Sequence, residues 1–111
     1  MVECFDRIHL KLAELVLRPL NDLREHPDLT AVTVRPPGRG GRVHVTVSKT
    51  WPDGPRGLPS YVWEAREVDA AGVDLPHGRA WTDGTPHDMP ETAYWAAVDA
   101  VAASRRRAIR V

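Results

Sequence analysis

The spacing of apolar residues changes along this chain, and each change marks a different element. Phe5, Ile8, Leu12, Leu15 and Val16 recur at helical spacing, and a second stripe, Leu10, Ala13, Leu17 and Leu20, runs beside them. The apolar arc is wider than contact with one sheet requires, so the spacing predicts a helix touched on two sides. Pro19 has no N–H for the helical ladder and should kink the helix or restart it in a first turn. The segment should end before Pro27, because a residue preceding proline disfavours helical backbone.

The period then falls to two. In TAVTVR, Val32 and Val34 face one way while Thr33 and Arg35 face the other, and in RVHVTVSK, Val43, Val45 and Val47 oppose His44, Thr46 and Ser48. Between them PPGRGG supplies the proline and glycine of a tight reversal, which makes a hairpin. A third strand is read in SYVWEAREV, with Tyr61, Trp63 and Ala65 against Val62, Glu64 and Arg66. About twenty residues without periodicity follow, long for a structureless loop, so either Val73–Leu75 or Arg79–Thr82 adds a short fourth strand or Trp81 pins a folded loop onto the protein. Helical spacing returns at Tyr94, Ala97, Val98, Val101 and Ala102. Asp88 is the expected cap, Pro90 suits the first turn, and Glu91 completes a capping-box pattern.

These elements predict an α+β fold in a single domain spanning residues 1–111. An antiparallel sheet of three to four strands carries the N- and C-terminal helices on one face, in the order α-β-β-β-α. At 111 residues one core suffices without metals or disulfides. The single cysteine, Cys4, has no partner within the chain, and MVECFDRIHLKLAELV is interrupted by charge, which excludes a signal peptide or membrane span there. Cytoplasmic location is the expectation. Thirteen arginines against two lysines, with abundant alanine, suggest a bacterial genome of high GC content.

Charge changes the picture only when read by segment. Fifteen basic residues balance fifteen acidic ones, but residues 29–63 carry +4, residues 64–99 carry −6 and residues 100–111 carry +4. A basic hairpin and the C-terminal arginines could meet phosphates, which keeps nucleic-acid binding as a third functional reading. The element order is similar to that of double-stranded RNA-binding domains in topology alone. Where that family meets phosphate with lysines at its second helix, this chain has Asp88 and Glu91, so the function is not carried over.

The stretch HGRAWTDGTPHDMPE concentrates the candidate chemistry. His77 and His87 lie ten residues apart, without the one-turn spacing that sets two ligands on a helical face, so no metal site is expected. No phosphate loop, dinucleotide fingerprint or serine elbow is present, and no cofactor is expected. As an acid–base site, with His77 among its candidate catalytic residues, His87 would be the general base, Asp83 or Asp88 its orienting carboxylate and Trp81 the wall for a planar substrate. The same residues are explained by local structure alone if Asp88 caps, Gly78, Gly84 and Pro86 turn, and Trp81 anchors the loop.

Four tryptophans are many for this length. Trp95, at the edge of its helical stripe, Trp81, and His44 on the polar sheet face are the candidate ligand contacts. With the two-stripe first helix and an open sheet edge they favour a homo-oligomer. The preferred reading is therefore a small cytoplasmic binding or assembly protein acting through protein–protein contacts. The alternative is a small accessory or biosynthetic enzyme, or a small-molecule-binding protein, using the His77–Asp88 loop.

Overall fold

A computed structural model describes residues 12–37 and 42–109, and within it the N-terminal helix changes type where proline interrupts it. A π-helical segment, Ala13–Leu17, runs directly into α1, Arg18–Glu25, with Pro19 in its first turn. In a regular α-helix the Pro19 ring would collide with the carbonyl of Leu15. The wider turn, in which the Arg18 N–H reaches back to the Ala13 oxygen, accommodates that ring and the missing donor. Helix α1 ends at His26, whose extended backbone (φ −95°, ψ 111°) is what the following Pro27 favours. Phe5, Ile8, Leu10 and Cys4 lie outside the described residues, as does the hairpin tip.

Four strands follow: β1, Ala31–Val34; β2, Val43–Thr50; β3, Ser60–Glu67; and β4, Ala80–Trp81. They pair antiparallel in sequence order, so the sheet is a meander. Its register brings the apolar residues together: Val32 and Trp63 flank Val47, while Val45 and Trp81 flank Ala65. The period of two thus becomes one apolar face and one polar face. On the polar face the Thr33 and Thr46 hydroxyls bond at 2.8 Å, with Glu64 paired beside Thr46.

Helix α2, Pro90–Ile109, closes the chain. It lies against β2, β3 and β4, while α1 covers β1 and meets α2 alongside. Both helices therefore sit on the apolar face. Val16, Leu20 and Leu23 from the first helical stretch are fully buried against Val34, Val45, Val47 and, from α2, Ala93, Tyr94 and Ala97. Full burial of each large aliphatic side chain contributes about 1.5–3 kcal/mol, which makes this layer of contacts the main stabilising force. Alanine at 93 and 97 brings α2 close to the sheet.

Candidate functional site

The stretch from Asp69 to Met89 is ordered by its own backbone. Asp69 accepts bonds from the Ala71 and Val73 N–H groups at 2.8 and 3.0 Å, closing a turn in which Gly72 takes φ +86°. Asp74 then bridges to Val68, and the chain runs back along β3 as β4. Thr82 holds it there by donating its hydroxyl to the Trp63 carbonyl at 2.9 Å. Residues 83–86 bulge away through a turn with Gly84 at φ +70°, and pairing resumes where His87 and Tyr61 exchange two backbone bonds of 2.8 Å. This segment is an interrupted edge strand.

That arrangement disperses the side chains expected to act as an acid–base site. His77 is exposed. Asp83 is exposed and accepts the Thr85 N–H at 2.9 Å, stabilising the bulge. The helix begins at Pro90, which puts Met89 at the N-cap position, where its carbonyl takes the Ala93 N–H; Asp88 stands one residue earlier and is exposed. His87 is partly buried with its Nε2 unpartnered, and neither Asp83 nor Asp88 reaches it by hydrogen bond or ion pair. Trp81 turns inward onto the core opposite Ala65. His44 lies on the polar sheet face with its ring beside Gly72. Among the described residues no cluster of three or more metal-ligating side chains forms.

A different surface collects charge and exposed apolar groups. Arg24 on α1 donates to the Glu91 carboxylate on α2 at 3.0 Å and also bonds the Asn21 side-chain oxygen. Glu91 Oε2 is buried behind this pair without a partner of its own. Tyr61 lies within the field of both groups: burial pushes its phenol above the ordinary 10.0, the Arg24 charge opposes this, and Glu91 adds to it. From the Arg24–Glu91 contact a groove of about 540 Å³ opens along Asn21, Arg18, Leu17, Glu14 and Ala13. Arg24 also borders a second groove of about 560 Å³, walled by Lys49, Trp51, Pro27, Pro55 and Pro59.

Large apolar side chains remain exposed on the helices, Leu17 among them lining the first groove. Leu15 is 50%, Leu17 38% and Trp95 46% exposed, and the Trp95 and Tyr94 rings form a T-shaped pair with centroids 5.0 Å apart. Trp95 is thus the one expected ligand contact that stands out from the surface, whereas Trp81 turns inward. Arg24 and the groove were not legible beforehand; the only available signal was the wide apolar arc of the first helix. Compared with protein-family models, curated proteins and solved structures, the chain matches none of them.

Proposed function

We propose that this is a small assembly protein that acts through protein–protein contacts and takes a second copy of itself as partner. One observation carries the reading: the core is filled without Leu15, Leu17 and Trp95, and all three stay exposed on the helices. Side chains of this size contribute when buried and are a liability when left in water, so their presence on one layer favours a covered surface. A core with buried Val16, Leu20 and Tyr94 gives that surface a rigid backing. Among the described residues no helix is long and apolar enough to cross a membrane. We place the protein's action in the cytoplasm, where its single cysteine would stay reduced. Acid–base chemistry at His87 has less support, because neither candidate carboxylate bonds it.

Sedimentation velocity over a concentration series tests the reading. A dimer or higher oligomer at tens of micromolar is the expected result, and a monomer throughout that range removes the proposal. Native mass spectrometry of the same sample would register any small molecule retained by the protein. A reproducible added mass that His87→Ala abolishes would put the enzyme or ligand-binding alternative first.

A further inference from the structure

We infer that two copies pair helix layer to helix layer about a two-fold axis, each placing Trp95 in the groove that the other forms beside its first helix. The inference rests on the self-association proposed above and specifies its surface. Glu91 lines the groove, and Trp95, one turn further along α2, lies on the same flank of that helix. Its half-exposed indole therefore projects from the flank of α2 that carries Glu91, in T-shaped contact with the Tyr94 ring. A groove of about 540 Å³ is within the ~300–1,000 Å³ typical of sites that enclose a compact ligand.

A projecting group and a receiving groove on the same surface are the requirement for an isologous contact. One rotation then satisfies both, and the assembly closes at two copies. The charges point the same way. Glu14 and Arg18 lie one turn apart on the groove bank, both exposed, and form no ion pair with each other. When two such helices run antiparallel across a two-fold, Glu14 of each copy faces Arg18 of its partner, twice, with no like charges opposed. Leu17, between them along the bank, becomes covered. An unrelated partner would need to supply this charge order independently, whereas a second copy carries it by symmetry.

The experiment is equilibrium sedimentation of the full chain and three variants: Trp95→Ala, Glu14→Arg, and Glu14→Arg combined with Arg18→Glu. Circular dichroism on each establishes that the exposed substitutions leave the fold intact. Trp95→Ala should weaken dimerisation at least about tenfold, the loss expected for a central aromatic anchor. Glu14→Arg alone should also weaken it about tenfold, and the double exchange should return it to within roughly threefold of the parent. A dimer indifferent to Trp95→Ala, or one that the double exchange fails to restore, overturns this pairing while leaving self-association standing. A parent chain that stays monomeric overturns both.

Discussion

Arg24 and Glu91 tie the two helices together across 67 positions of sequence, with their side chains 3.0 Å apart. The pair is only partly exposed, at 41% for Arg24 and 22% for Glu91, and one Glu91 oxygen is fully covered. An exposed ion pair contributes little, but a covered carboxylate deprived of its cation does not recover its hydration. Arg24→Met should therefore cost about 1–2 kcal/mol in urea unfolding. Adding Glu91→Leu should give part of this back, because the orphaned carboxylate is then gone. A double change no milder than the sum of the singles would show that the two residues act independently.

Alkaline pH should unfold the protein through its buried phenols. Burial raises the pKa of both Tyr61 and Tyr94 above 10.0. In the unfolded chain each phenol loses its proton near 10, while in the folded chain it holds the proton to higher pH. The stability this provides is complete below pH 10 and is lost as the pH rises through the folded values. Tyr94→Phe removes one of the two groups and should flatten the fall. Urea titrations between about pH 8 and 11 measure this, and identical slopes for parent and variant would exclude Tyr94 as a contributor.

The strands were readable because their information is local. Val43, Val45 and Val47 alternate with polar residues, and a period of two admits only one face for all three. Pro19 likewise announced an interruption, and the π-helical turn before it is the local response. The short strand at Ala80–Trp81 was legible only as one option among three, beside a strand at 73–75 and a loop pinned by Trp81, since two residues carry no period. The Arg24–Glu91 contact and the groove beside it had no signature, because charged residues on a helix surface follow no spacing that reveals which distant element they will meet. Asp88 shows a different limit. Cap chemistry was present, yet Pro90 set the helix start one residue later and left Met89 in the cap position.

Gly78 closes the approach of the returning chain to β3 and should not tolerate a side chain. A Cβ there would lie 2.9 Å from the Leu75 Cβ and 3.1 Å from that of Glu67. Both are atoms fixed by the backbone, so neither can swing aside. Gly78→Ala should cost about 1–3 kcal/mol, as overpacking generally does. Gly84 is the informative comparison: it has φ +70° but nothing within 4 Å of a built Cβ, so Gly84→Ala should cost only the left-handed backbone penalty of about 1–2 kcal/mol. Urea midpoints for the pair separate steric exclusion from backbone strain.

The role of His87 is a matter of backbone against side chain. Its N–H and carbonyl exchange two bonds of 2.8 Å with buried Tyr61, whereas its Nε2 has no partner. His87→Ala keeps both backbone bonds and should change stability by no more than about 1 kcal/mol. His87→Pro removes the N–H, leaves the Tyr61 carbonyl unpaired, and should cost about 1–3 kcal/mol while raising amide exchange at Tyr61. Thermal unfolding with hydrogen exchange reads both effects. If alanine proves as damaging as proline, the imidazole itself holds the segment, and its unpartnered nitrogen becomes the place to look for a bound group.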